Sequence, residues 1–499
     1  MNKVLLFNPR SLKFKPRIPN SILSIAGSID GKYEYVIVDG NMETNPAEKI
    51  FNYFKTGEYK YFGLTCMPGP QLKQAIPISK KTRELFPEIK IIWGGYFPAG
   101  QPKVVLLSGY VDFIVNGPGE KSFPALVDTL ENNKPYELIS NLIYRSGDNI
   151  IKTRKDELYD QDSLPNLPYE KLNSFYPLHR YLGKSCLGTK TIAYHSSIGC
   201  PFTCSFCAVV PIYNARWKGK SAENVYKDIK YLKEKYGGNA IEFHDNNFFV
   251  SEKRTIDFAK LIEPEKMIWW AWGRIDTINK YSDETLALMR RSGCKMIFFG
   301  AESGNDKVLA QMDKGGTQTG AQLKEFAARM AKFDIIPEYS FVLGTPADTA
   351  ADVMANIDFD IRFIKEIKKI NPKTEIIIYT YSPVPTEGSE MFEQVMDSGF
   401  RYPKNLEDWI GAEWENFDLR KNGMTPWLTD EMREKIRNFE VVLNSYYPTV
   451  SDIRLNNLKR SIMRVVSGIR YKANFYWKPY ELKALQVIWK YRQPEIEGF

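Results

Sequence analysis

The chain has few of the residues that usually hold single metal ions or staple loops: three histidines and six cysteines among 499 residues. No apolar run approaches the roughly 18 residues needed to span a bilayer, and nothing at the start resembles a signal peptide, since Met1-Asn2-Lys3 leads into the short run "VLLF". A cytoplasmic protein is expected. Clustered cysteines in such a reducing compartment are more often metal ligands or catalysts than disulfides. Fixed-period repeats, low-complexity segments and nucleic-acid motifs are also missing, so no nucleic-acid partner is expected. The net charge of +8 is modest for the length. It suits an acidic partner, such as a small electron carrier, or an anionic surface.

What is present is a repeated strand–helix rhythm. A chain this long divides into two or three domains. Residues 1–145 alternate apolar strands, "KVLLFNPR", "YEYVIVDG", "YKYFGLTCM", "IKIIWGGY" and "VDFIVNGPGE", with helical stretches such as 70–85. That alternation predicts a doubly wound, Rossmann-like parallel sheet whose ligand edge lies at the strands' carboxyl ends. A linker strap (146–188) follows, with three prolines in "DSLPNLPYEKLNSFYPLHRYL". Residues 189–395 hold six βα units, with helices near 221–236, 282–292 and 320–333, and predict a partial (β/α)6 barrel. Residues 396–499 are expected to be mainly helical.

The stretch "GCPFTCSFC" (199–207) sets Cys200, Cys204 and Cys207 at the end of the first barrel strand. Structural zinc takes four ligands, typically as two separated pairs. Here only Cys186 and His195 could supply a fourth, and no second CxxC exists. Three thiolates fit a [4Fe–4S] cluster with one iron left open for a small molecule.

The spacing Cys-x3-Cys-x2-Cys, with Phe206 just before the third cysteine, resembles the signature of the radical S-adenosylmethionine (SAM) superfamily. The resemblance implies that the open iron chelates SAM, and that one electron splits its sulfonium to a 5′-deoxyadenosyl radical that abstracts substrate hydrogen. "FFGAESG" (298–304) is similar to the family's fourth strand, which implies SAM contacts from Glu302 and Ser303. "FVLGTP" (341–346) is similar to the fifth, whose Gly344 lets backbone approach the adenine. "FHDNNF" (243–248) and "WGRID" (272–276) resemble the ends of strands two and three in one branch, so Asp245 and Arg274 are expected to face the site with Phe206.

That branch carries an N-terminal cobalamin-binding domain. "WGGYFPAG" (93–100) and "VDFIVNGPGEKSF" (111–123) resemble two of its segments, and the resemblance covers roughly residues 1–395. It implies cobalamin contacts from Asn8, Thr65, Cys66, Met67, Gly94, Gly95, Tyr96, Gly117, Gly119 and Glu120. No histidine precedes His179, so the Asp-x-His-x-x-Gly ligand of many cobalamin domains is absent and base-off cobalamin is expected. The loop "TCMPGP" (65–70) should lie near its lower face. Cys66 and Met67 are soft donors there, although Cys66 also reads as simple core packing. Other superfamily members keep similar folds without cobalamin.

Beyond these motifs, His244 reads as a hydrogen-bonded residue at a strand end or a proton relay. Trp270 and Trp272 share one strand face, so both or neither line the cavity. Cys186 and Cys294 read as free thiols, with no auxiliary cluster. In the tail, Leu455, Leu458, Ile462, Val465 and Ile469 share one helical face, and residues 453–492 hold ten Lys and Arg against one acid, Glu481. This predicts a helix packed on the barrel with a solvated basic face; the alternative is peripheral contact with an anionic membrane.

The resemblance implies an enzyme: a cobalamin-dependent radical SAM methyltransferase acting, via methylcobalamin, on an unactivated carbon of a small-molecule or lipid-like substrate. The alternatives are an oxidative cyclase or rearrangement enzyme with the same cofactors, and a non-catalytic sensor that binds them.

Overall fold

Apolar runs buried on both faces build the first sheet. The computed structural model describes residues 2–11, 16–314, 317–384, 386–414 and 424–491; Pro385, within the expected barrel, and the basic Arg492 lie outside them. Strands β1 (Lys3–Asn8), β2 (Tyr35–Asp39), β3 (Tyr59–Thr65), β4 (Lys90–Gly94) and β5 (Phe113–Val115) run parallel in the order 2-1-3-4-5. β6 (Leu142–Ser146) and β7 (Asn149–Lys152) add an antiparallel hairpin on the β5 side. Pairing therefore continues past residue 145, through a turn at Gly147 with φ +59°. The order reverses between β1 and β3, and ligands of open α/β sheets bind at such a switch point, at the carboxyl ends of the strands. Asn8 and Thr65 end those two strands.

The second sheet is wholly parallel: β8 (Thr191–Tyr194), then, after a small antiparallel pair of β9 (Ser197–Gly199) and β10 (Trp217–Gly219), β11 (Ala240–Phe243), β12 (Ile268–Gly273), β13 (Cys294–Glu302), β14 (Ile336–Leu343) and β15 (Glu375–Thr380). These six strands form the partial barrel, in chain order from β8 to β15. Alternation along each strand sends Ile241, Phe243, Trp269, Ala271, Ile297, Phe299, Tyr339 and Phe341 into a fully buried layer under the helices. The other face carries Glu242, Trp270, Trp272, Phe298 and Glu338. The expected helices appear as Ala222–Tyr236, Asp283–Arg291 and Gly320–Lys332. The first starts on Ser221, whose side chain accepts from the Asn224 amide, and the third starts on a Thr319–Gln322 capping box. Each such cap contributes about 1 kcal/mol.

Helices Asp430–Tyr446, Asn457–Lys472 and Tyr480–Trp489 follow. The first buries Met432, Ile436, Phe439, Val442 and Leu443 in the core shared with the barrel. The second corrects the expectation for its apolar stripe. Leu455, just before the helix, is buried, but Leu458, Ile462, Val465 and Ile469 are exposed, because the inward face is taken by Met463, Ser467 and Tyr471. Among the described residues, no helix is long and apolar enough to cross a membrane.

Candidate functional site

The segment entering the cysteines is held from below. Asp245, just after β11, is fully buried, and its carboxylate accepts from the Ser196 amide at 3.1 Å, the Ser196 hydroxyl at 2.8 Å and the Ser197 hydroxyl. Gly199 has φ +74°, and a Cβ there would stand 2.1 Å from the Arg216 carbonyl oxygen, so only glycine fits the entry. Beyond it, Ser205 is fixed by a bond from its amide to the Met312 carbonyl, from its hydroxyl to the Gln311 carbonyl, and from the Met391 amide to its own carbonyl. Cys200, Cys204 and Cys207 are partly exposed on this one loop and form no disulfide. Burial pushes the Cys200 thiol up. Among the described residues, no three His, Cys, Asp or Glu side chains converge closely enough for a single metal ion. A multi-iron cluster separates its cysteines more widely.

Arg274 reaches into this loop. Its Nη1 lies 3.0 Å from the Cys204 sulfur, while Nε and Nη2 donate to Asp276 at 3.0 and 2.6 Å. Its guanidinium lies 3.9 Å from the centre of the Phe202 ring. A cation held against a ligating sulfur stabilises the more negative, reduced state of a cluster. Arg274→Gln should therefore lower the midpoint potential by tens of millivolts in an EPR-monitored titration; an unchanged potential would limit Arg274 to bracing the loop.

At the end of β13, Glu302 adopts φ +61°, a left-handed conformation rare for a glutamate. Its buried carboxylate accepts from Lys314 Nζ at 2.7 Å, and the same ammonium donates to the Gly300 carbonyl at 2.8 Å. It also lies 5.9 Å from the Phe206 ring centre, so Lys314 joins the cysteine loop to Glu302. The Ser303 hydroxyl and Gly304 amide donate to Asp360 at 2.8 and 2.7 Å, and burial pushes the Asp360 carboxyl up to about 7. Gly344 has φ +86°, and its carbonyl accepts the Trp427 indole N–H at 3.0 Å. Sequence reasoning named Glu302, Ser303 and Gly344 but missed Lys314, Asp360 and Asp276. Asp276 closes the quoted "WGRID" segment and Lys314 precedes Gly315-Gly316 soon after "GAESG", whereas Asp360 carried no local signal.

The first sheet's edge closes on itself. Gly95 has φ +96°, and a Cβ there would lie 2.7 Å from the Cys66 carbonyl oxygen. The Cys66 amide bonds to the Gly94 carbonyl and the Phe97 amide to the Cys66 carbonyl. Thr65, Cys66, Gly94, Gly95 and Tyr96 thus form one cluster. The Cys66 thiol is sealed in the core, and burial pushes its pKa up; Met67 is exposed. Gly117 (φ +121°) and Gly119 lie after β5. Glu120 beside them accepts from Ser24 and Tyr159 at 2.7 and 2.6 Å, and Asn8 donates to Asp39 at 3.0 Å. Those two polar side chains brace the edge.

This edge meets the cysteine side of the barrel. The Tyr96 hydroxyl donates to Asn246 at 3.0 Å, the Tyr96 and Tyr213 rings lie 6.5 Å apart, and the Glu387 amide bonds to the Gly100 carbonyl at 3.0 Å. From the strap, Lys155 Nζ donates to the Ile212 carbonyl at 2.9 Å.

Comparison with known proteins decides what this pairing is. The family model described as the radical SAM superfamily matches residues 194–360, and the one described as the B12 binding domain matches residues 18–127. The chain thus carries a radical SAM domain together with a B12-binding domain. Among similar proteins, one from Pyrococcus horikoshii, named an uncharacterized methyltransferase, is 27% identical over 68% of this chain and 72% of its own length. An anaerobic magnesium-protoporphyrin IX monomethyl ester cyclase of Synechocystis is 24% identical over 63% of each chain. Among solved structures, that of the cobalamin-dependent SAM radical enzyme OxsB, with aqua-cobalamin and SAM bound, covers 98% of this chain and 74% of its own, with a TM-score of 0.71 at 15% identity. This last likeness is one of fold.

The residues present fit the groups such a radical SAM protein holds. Three uncrosslinked thiols share one loop with an arginine aimed at sulfur. At the B12-binding edge, a Cβ on Gly94 would meet only the Leu64 carbonyl oxygen, 3.8 Å away, and the buried side-chain oxygen of Asn116 just after β5 has no hydrogen-bond partner, an acceptor placed for a ligand amide. Below the cysteines, Trp270 and Trp272 lie on the same face of β12, with ring centres 6.1 Å apart; Trp272 lies 5.1 Å from Phe298 and is 37% exposed. Trp270 donates to Glu338 at 3.0 Å. His244 Nε2 lies 3.4 Å from the Glu242 carboxylate without an aligned hydrogen bond, so it is not the hydrogen-bonded residue expected. Burial pushes His195, whose ring centre is 6.1 Å from that of His244, down to about 4, so it is neutral at physiological pH.

Proposed function

We propose that the chain is a cobalamin-dependent methyltransferase that places a methyl group from SAM on an unactivated carbon of a small-molecule or lipid-like substrate. The contact between the two edges, Tyr96 against Asn246 and Tyr213, carries the reading, because it sets the B12-binding edge beside the cysteine loop. When bound, the cluster with SAM supplies hydrogen abstraction and the corrinoid supplies methyl carriage. Cys200, Cys204 and Cys207 would hold the cluster, and Arg274 would hold its charge. Phe206, Glu302, Ser303 and Gly344 would line the SAM site, with Lys314 and Asp360 fixing Glu302 and Ser303. Asp245 would act from behind, by bracing Ser196 and Ser197.

Thr65, Gly94, Gly95, Tyr96, Gly117 and Gly119 would shape the corrinoid edge, which Asn8 and Glu120 support. With no histidine before His179 and the Cys66 thiol sealed in the core, the cobalamin would be base-off. The substrate would rest on the aromatic bed of Trp270, Trp272 and Phe298, which excludes water from an exposed radical. An acidic flavodoxin- or ferredoxin-type protein would supply the electron, in keeping with the net charge of +8.

Anaerobic turnover with reductant and SAM tests the reading. Purified protein should hold about four irons and one corrinoid per chain, and should release S-adenosylhomocysteine alongside 5′-deoxyadenosine once a substrate is supplied. 5′-Deoxyadenosine without S-adenosylhomocysteine would mean oxidative cyclisation or rearrangement. Neither product on reduction would mean a sensor.

A further inference from the structure

Independently of the proposed reaction, we infer that the C-terminal helices dock the protein on an anionic lipid surface. An amphipathic surface helix normally turns its apolar stripe to the core, and helix Asn457–Lys472 does the reverse. Leu458, Ile462, Val465 and Ile469, spaced four, three and four residues apart, lie along one face and are 69, 39, 78 and 81% exposed. Helix Tyr480–Trp489 adds Tyr480, Val487 and Ile488, and Trp477 stands in the connection, all more than half exposed. The two helices run antiparallel. Arg470 bonds Glu481 at 3.0 Å near one end of the pair, and Arg454 donates to the Lys490 carbonyl at the other.

Charge selects the occupant. Residues 453–492 hold ten basic residues and one acid, Glu481, and that acid is already bonded to Arg470. Arg464, Lys472 and Lys490 are exposed on these helices. A second copy seated on this face would meet it with the same face in a two-fold dimer and press cation against cation. An anionic bilayer satisfies both components: apolar side chains enter the acyl boundary, lysine and arginine stems extend to the phosphates, and Trp477 and Tyr480 suit the headgroup level. Two weak signals, apolar insertion and a basic rim, together give stable but reversible attachment.

The test is sedimentation of the full-length protein with vesicles of phosphatidylcholine containing phosphatidylserine, and with pure phosphatidylcholine vesicles. Binding to the anionic vesicles alone is expected, falling as salt rises. Val465→Glu/Ile469→Glu should weaken it at least tenfold. Arg464→Gln/Lys472→Gln should weaken it roughly 25-fold, at about fivefold per cation. All four positions are exposed, so thermal unfolding of both variants should match that of the parent. Equal sedimentation of parent and variants, or no preference for phosphatidylserine, overturns the inference. So does a dimer by analytical ultracentrifugation that Val465→Glu/Ile469→Glu dissociates, which would assign the face to a second copy.

Discussion

Cys204→Ser is expected to lower iron content from about four per chain towards zero and 5′-deoxyadenosine formation by about a thousandfold or more. A serine hydroxyl is a harder, far weaker iron donor than a thiolate. The substitution also removes the sulfur that Arg274 Nη1 approaches at 3.0 Å, so a guanidinium fixed on Asp276 faces a group that carries no charge. Cys186→Ser should leave iron content unchanged, because Cys186 lies outside the 200–207 loop and its backbone carbonyl, not its thiol, accepts from Lys295. Full iron content in Cys204→Ser, or its loss in Cys186→Ser, would sink the assignment of the three-cysteine loop.

Features that depend on near neighbours were legible in the sequence. The strands could be read because sheet residues buried on both faces form unbroken apolar runs, such as "VLLF" and "YVIV", and helices answer each of them. The cysteines could be read because one short loop carries all three. What escaped depended on residues far apart in the chain. Lys314 lies 12 residues from Glu302 and Asp360 lies 57 from Ser303; both are ordinary charges until the fold seals them in. The β6–β7 hairpin was missed because its strands alternate weakly and end in polar residues. The C-terminal stripe marks a different limit. Helical periodicity shows which residues share a face, but nothing local shows whether that face turns inward. In this chain, Met463, Ser467 and Tyr471 took the inward side.

Lys314→Met should destabilise the protein by about 3–5 kcal/mol, the usual result of leaving one partner of a buried ion pair without the other. Glu302 cannot relax easily. Its backbone stands at φ +61°, and a Cβ on Gly300 would come within 2.3 Å of its Oε1, a measure of how closely the carboxylate is packed. Replacing both partners, as Lys314→Met/Glu302→Gln, removes the stranded charge and should recover most of the stability. SAM affinity should behave differently. If Glu302 contacts SAM, the double variant stays at least tenfold weaker by calorimetry, because the carboxylate and not the fold was lost; a charge-assisted bond of this kind is worth roughly 1.5–3 kcal/mol. The single variant should bind weakly for another reason, since Glu302 loses the ammonium that fixes its carboxylate. Denaturant unfolding and SAM titration of the same three proteins separate the two effects. A double variant that regains affinity along with stability would leave Glu302 as a brace for β13 and move SAM recognition to Phe206 and the backbone at Gly344.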